Sequence, residues 1–137
     1  MKFPGLNVRC LTLCAALAVV GMLTMSASMQ AEEKESAGKL RHVVIFKFKD
    51  SATPQDIKKV EEAFGELPKK ISQIKEYEWG TNNSPEMFAK GFTHCFLVTF
   101  ASEEDRAAYL PHPEHVKFVE LLGPYLEEAF VIDYWAK

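Results

Sequence analysis

A chain of 137 residues, 47% apolar and 26% charged and without repeats, has material for one ordinary domain with a real core, which excludes both a multidomain architecture and a disordered chain. Sixteen basic residues stand against 19 acidic ones for a formal charge of −3, and nothing in this balance points to a nucleic-acid partner.

Residues 1–31 differ in character from the rest. Lys2 and Arg9 precede an uncharged run from Cys10 to Ala31 that is rich in Leu, Ala, Val and Met. This reads as a secretory signal peptide. Cleavage after Ala31 (Met29-Gln30-Ala31) is favoured over cleavage after Ser28 (Ser26-Ala27-Ser28), both being sites with a small side chain at the cut. About 22 uncharged residues are also long enough for an uncleaved anchor. The small and polar end of the run, Ser26 to Gln30, favours removal. Cys14 comes too early, and after Leu13, for a lipoprotein signal. An exported product is therefore expected, periplasmic in preference to fully secreted, with no membrane attachment once the leader is cut. Cleavage would take two of the basic residues and no acidic ones, moving the formal charge to about −5. Of three cysteines only Cys95 would remain, so packing alone must hold the domain. Cys95 sits in an apolar strand and reads as a small core residue.

Residues 32–39 are charged, contain Gly38 and lack periodicity, as a flexible tether does; the domain occupies residues 40–137. Leu40 to Lys49, with Val43, Val44, Ile45, Phe46 and Phe48, is the first strand, β1. Thr53-Pro54-Gln55-Asp56 then orders a capping hydroxyl, a helix-starting proline and an acid. Ile57, Val60, Phe64 and Leu67 follow at helical spacing, so a first helix, α1, runs to about Glu66, with a further turn after Pro68. Tyr77 and Trp79 alternate with Glu76 and Glu78 in β2, which ends in the turn-forming Gly80 to Pro85. After a loop to Gly91, Phe92 to Phe100 is β3. Ser102-Glu103-Glu104-Asp105 opens a second helix, which meets Pro111-His112-Pro113, resumes from Glu114 to Leu122, and stops at Gly123-Pro124. Phe130 to Trp135 is β4.

The order βαββαβ predicts an α+β, ferredoxin-like domain: a four-stranded antiparallel sheet with helices on one face. The other face would carry Val43, Ile45, Cys95 and Leu97, too apolar to meet water. Two sheets packed face to face in a homodimer would bury it, giving a dimeric α/β barrel.

The right-handed crossover rule places β1 and β3 side by side at the centre and pointing the same way, which puts His42 and His94 at one end of the sheet. Parity sets His42 with Val44, Phe46 and Phe48, and His94 with Phe92, Phe96, Val98 and Phe100, beneath the helices. The second helix returns toward that end with Tyr109, His112 and His115. Three of the histidines, or all four, with one tyrosine, are thus expected to converge on one apolar pocket. Histidine near its ordinary pKa moves protons at neutral pH, and a tyrosine hydroxyl polarises a carbonyl or orients the histidine. Any one histidine alone more often satisfies the end of a core element; the convergence argues for a site. No histidine pair has the helical i,i+4 metal spacing, and His112 and His115 straddle Pro113, so an organic pocket is expected in preference to a metal, with no cofactor. There is no serine elbow and no glycine-rich phosphate loop. Trp79, Tyr77, Phe88 and Phe92 are candidates for an aromatic wall, with Met87 and Phe88 near a pocket mouth.

Arg41-His42-Val43-Val44-Ile45-Phe46-Lys47-Phe48-Lys49, Trp79-Gly80, Gly91-Phe92-Thr93-His94, Phe100, Tyr109 and His112-Pro113-Glu114-His115-Val116-Lys117-Phe118 together resemble the stress-responsive A/B barrel (Dabb) family. The resemblance covers Leu40 to Lys137 and implies a dimeric α/β barrel. Its polyketide-cyclase branch, that of olivetolic acid cyclase, implies His115 as base with Tyr109 as partner and His42 and His94 lining the pocket. A pocket tyrosine of the plant cyclases is matched here by Phe64, a departure that puts the same substrate in doubt, as does the export signal. The expectation is a homodimer that binds a small hydrophobic or aromatic molecule among His42, His94, Phe64, Trp79, Phe92 and His112. The alternatives are a cyclase-like lyase using His115 and Tyr109, or a cofactor-free monooxygenase of related fold.

Overall fold

The computed structural model describes residues 38–137; the leader, its two candidate cleavage points and most of the tether lie outside the described residues. Within them the elements are β1 (Leu40–Phe48), α1 (Pro54–Lys70), β2 (Glu76–Thr81), β3 (His94–Phe100), α2 (Glu103–Tyr109), α3 (Pro113–Leu122) and β4 (Leu126–Trp135).

The local chemistry explains where each element starts. Thr53 caps α1: its hydroxyl accepts from the Asp56 amide at 3.2 Å while the Asp56 carboxylate accepts from the Thr53 amide, and Pro54 supplies the first helical residue. α1 runs past Pro68 to Lys70, the further turn expected after that proline. Pro68 removes one amide donor, that of the bond position 68 would make to the Phe64 carbonyl, but the helix continues and closes with the Ile71 amide bonded to the Leu67 carbonyl at 2.8 Å. The expected second helix is two helices. Ser102 caps α2, and the imidazole of His112 caps α3 by accepting from the Glu114 amide at 3.2 Å, with Pro113 at its first position.

Two strand boundaries shift from the expected positions. β3 begins at His94, because Gly91 at φ 86° turns the chain and ties the Phe92 amide to the Ala89 carbonyl at 2.8 Å. β4 begins at Leu126 because it pairs along the whole of β1, absorbing an irregularity at Lys47/Phe48.

The sheet order is β2-β3-β1-β4, and every neighbouring pair is antiparallel. β1 and β3 are central and adjacent as expected, but they do not run the same way. α1 carries the chain back across the sheet so that β2 is parallel to β1, and the connection from β2 to β3 then reverses direction. Phe46 therefore faces His94, and His42 faces Val98. Four residues of strand, about 13 Å, separate the levels of the two histidines, which lie toward opposite ends of the sheet.

The helix-covered face carries Leu40, Val44, Phe46, Phe96, Val98 and Phe100, packed against Val60, Phe64 and Leu67 of α1 and Phe118 and Leu122 of α3. The Phe64 ring lies 4.4 Å from that of Phe96 and 4.7 Å from that of Phe118. On the opposite face Ile45 pairs with Phe130 and Val43 with Ile132; Phe130 is 49% exposed and Ile132 45%. Cys95 lies on this face and is exposed, so it is no part of the helix-side core. Its odd position in β3 decides this, since residues alternate across a strand.

Candidate functional site

His42 stands on the helix side of β1, directly across from Asp133 on β4. Its Nδ1 is 2.6 Å from one Asp133 oxygen, and the other oxygen accepts from Arg106 of α2 at 2.7 Å. A carboxylate bonded in this way accepts only, so Nδ1 carries a proton and donates the hydrogen bond to Asp133. The ring centroid of Tyr109, the last residue of α2, lies 6.0 Å from that of His42 and 5.1 Å from that of Phe100. Tyr109 is 1% exposed. Burial pushes its hydroxyl well above the usual phenol range, so it remains a donor at neutral pH.

His115, in the first turn of α3, has its ring centroid 4.3 Å from that of Tyr109. Its Nδ1 is 2.8 Å from the Leu110 carbonyl oxygen. That oxygen can only accept, so Nδ1 is protonated and Nε2 is left as a base. Burial is the largest influence on this imidazole and holds it below its ordinary value; the Leu110 carbonyl opposes, and His42 and His112 add to the lowering. His112 is close enough to act on His115, while its own Nδ1 is occupied as the cap of α3.

His94 does not join this group. Its Nε2 is 2.9 Å from the Glu61 carboxylate of α1 and its Nδ1 2.8 Å from the Thr93 hydroxyl, so both ring nitrogens are engaged. Trp79 lies nearly parallel to it at 6.2 Å, and Phe48 meets it edge-on at 5.1 Å. Trp79, Phe92 and His94 instead border a cavity of about 840 Å³ under the β2–β3 loop, together with Cys95, Phe130 and Phe88. Phe64 borders neither group; it is 1% exposed in the aromatic core. The eight residues expected around one pocket thus divide. His42, Tyr109, His112 and His115 gather under α2 and α3, Trp79, Phe92 and His94 gather at the far end, and Phe64 lies in the packing between helix and sheet. Among the described residues no three His, Cys, Asp or Glu side chains gather closely enough to hold a metal ion.

Asp133 and Arg106 are site residues that sequence reasoning missed. Parity contained part of the signal for Asp133: between Phe130 and Trp135 it is the acidic residue on the same face as Val131, which pairs with Val44 on the helix side.

Four antiparallel strands, with three helices over one face and a histidine–tyrosine cluster beneath two of them, define a ferredoxin-like α+β protein. The chain belongs to the stress-responsive A/B barrel domain family, whose model matches residues 40–136. It is similar to the stress-response A/B barrel domain-containing protein HS1 of Arabidopsis thaliana, at 36% identity over 74% of this chain and 93% of that protein. Olivetolic acid cyclase of Cannabis sativa is 30% identical over 69% of this chain and 94% of the cyclase. Among solved structures, hydroxynitrile lyase from Passiflora edulis aligns with a TM-score of 0.69 at 28% identity, covering 74% of this chain and 95% of the lyase. A dimeric ferredoxin-like protein from Bacteroides fragilis aligns with a TM-score of 0.59 at 30% identity, covering 72% of this chain and 96% of its own.

Proposed function

We propose that the protein binds a small hydrophobic or aromatic carbonyl compound beside His42, Tyr109 and His115 and converts it by acid/base chemistry of the lyase or cyclase type. The observation that carries this reading is the His115 imidazole, pinned by the Leu110 carbonyl so that an unprotonated Nε2 remains beside the buried Tyr109 phenol. In a cyclisation, Nε2 takes the proton from a carbon next to one carbonyl. That carbon then forms a bond to a second carbonyl carbon, and the new alkoxide recovers the proton from the imidazolium. Tyr109 donates to the carbonyl oxygen as negative charge grows there. His42, oriented by Asp133, which Arg106 holds in turn, is a second imidazole beside the same substrate. Relatives named as a cyclase and a lyase support the class of chemistry.

The test is the pH dependence of turnover on a panel of cyanohydrins and poly-β-carbonyl compounds. The base works unprotonated and its pKa is lowered, so kcat/KM is expected to rise with pH along an acid limb centred below 6.5. A limb centred above 6.5 counts against His115 as the base. Saturable binding without turnover of any compound would reduce the protein to a ligand carrier.

The same proposal includes export and pairing of two protomers through the exposed sheet face. Dimeric relatives support the pairing, and so does the apolar surface of Ile45, Phe130 and Ile132. Native mass spectrometry of the exported protein is expected to give the mass of two chains that begin at Glu32. Ile132→Glu, which sets a charge on that face, is expected to give one chain of the same length; a wild-type monomer would refute the pairing.

A further inference from the structure

Tyr77 carries the one buried side-chain nitrogen or oxygen among the described residues that has no hydrogen-bond partner. Buried hydroxyls are nearly always satisfied, so this one requires an explanation.

Its place in the sheet supplies one. Tyr77 faces Val98 across β2 and β3, Val98 faces His42 across β3 and β1, and His42 faces Asp133 across β1 and β4. The four residues form one row across the sheet. His42 and Val98 lie on the helix-covered side, and Tyr77 does too, since its ring packs against Phe64 at 5.5 Å. Tyr109 lies over the same row, with its ring 6.0 Å from His42.

The two phenols sense each other electrically: Tyr77 is one of the groups that push the Tyr109 hydroxyl up. Burial, and after it the Glu61 carboxylate, pushes Tyr77 up as well. Both hydroxyls are therefore protonated donors at any physiological pH.

We infer that Tyr77 is a specificity-determining residue of the pocket beside His42, Tyr109 and His115, its buried hydroxyl donating to an acceptor oxygen of the bound molecule. The inference rests on the proposed ligand pocket and deepens it. The ligand class becomes one with a carbonyl or similar oxygen that can take donors from two phenols, as opposed to a hydrocarbon of the same shape. A hydroxyl with no internal partner suits this task, because it loses no protein hydrogen bond when the ligand arrives. Nothing in β2 marks Tyr77 as more than one of two alternating aromatics; its role comes from the row it shares with His42.

The experiment compares wild type with Tyr77→Phe, a change that removes only the hydroxyl. Binding of acetophenone and of ethylbenzene, which has a similar shape and no oxygen, is followed by chemical-shift titration. Acetophenone affinity is expected to fall about 3- to 10-fold while ethylbenzene affinity stays the same. The melting temperature without ligand is expected to hold or rise, since no protein hydrogen bond is lost. Equal effects on both probes, no effect on either, or a lower melting temperature would overturn the inference. Failure of the wild type to bind either probe would count against the proposed pocket. In that event a crystal structure decides the role of Tyr77: an organic molecule with an acceptor oxygen on its hydroxyl upholds the inference, and a lone water or a direct bond to Glu61 or any other protein atom overturns it.

Discussion

His115→Ala is expected to lower kcat/KM by about 10²- to 10⁴-fold, the range that removal of a positioned general base produces. The fold should survive. His115 is only partly buried, its hydrogen bond goes to a single carbonyl at the break between α2 and α3, and Pro113, with the imidazole of His112 as cap, remains to start α3. Circular dichroism and native mass should therefore match wild type while turnover disappears. A large drop in melting temperature with proportional loss of activity would instead make His115 a fastening between α2 and α3. Tyr109→Phe separates the two roles further. The ring fills the core between Phe100 and His42, so the phenylalanine should keep the fold. Activity should fall less than for His115→Ala, because the hydroxyl polarises the substrate and does not itself take the proton.

The local rules were legible in the sequence wherever a residue type has one physical use. Thr53 with Asp56 and Ser102 with Asp105 are caps whose partner amides lie within four residues, so no long-range information was needed. Parity within β1 and β3 placed the core and open faces of the paired residues correctly, because side chains must alternate. It also set Phe92 beneath the helices, whereas Phe92 precedes the strand and its ring lies 6.4 Å from that of Phe130 on the open face. Strand direction was another matter. It depends on how many times the chain reverses between β1 and β3: the helical crossover reverses it twice and leaves β2 parallel to β1, while the β2–β3 connection reverses it a third time. Counting only the crossover made the strands parallel and brought His94 to the wrong end. The ion pairs escaped for a related reason. Asp133 lies 91 residues from His42 and becomes its neighbour only through the exact register of β1 on β4. Glu61 looks like one more solvent-facing acid of α1 until β3 brings His94 beneath it.

That correction changes what each histidine can do. With both ring nitrogens engaged, His94 has neither a free lone pair nor a spare donor for a substrate, whereas His42 and His115 each present an open Nε2. The three histidines other than His94 gather with Tyr109 at the end covered by α2 and α3. The far end offers an aromatic cavity bordered by Trp79, Phe92 and Phe130. Its border also carries the ionisable Glu78, Lys90 and Glu128.

Phe64→Ala is the second change expected to have a large effect, and here the effect is on stability. The ring is 1% exposed, stacks on Phe96 at 4.4 Å, and touches Phe118, Tyr77 and Phe46 at 4.7, 5.5 and 6.2 Å between centroids. It thus joins α1, α3 and three strands. Truncating a buried phenylalanine costs about 3–5 kcal/mol, because transfer energy is lost and the rigid neighbours cannot close the void. A domain of about 100 residues has about 5–15 kcal/mol of stability in all, so the midpoint of urea unfolding should fall by about a fifth or more and the melting temperature by tens of degrees. Phe64→Leu, which refills most of the space, should recover much of the loss. The measurement also discriminates between two places for this side chain. Resemblance to the plant cyclases sets it at a ligand, where a cavity already exists and truncation should cost little stability but alter affinity. The aromatic contacts set it in closed packing, where the cost is paid by the fold with or without ligand. A loss below about 1 kcal/mol, joined to a changed affinity for acetophenone, would move Phe64 from the core to the pocket wall.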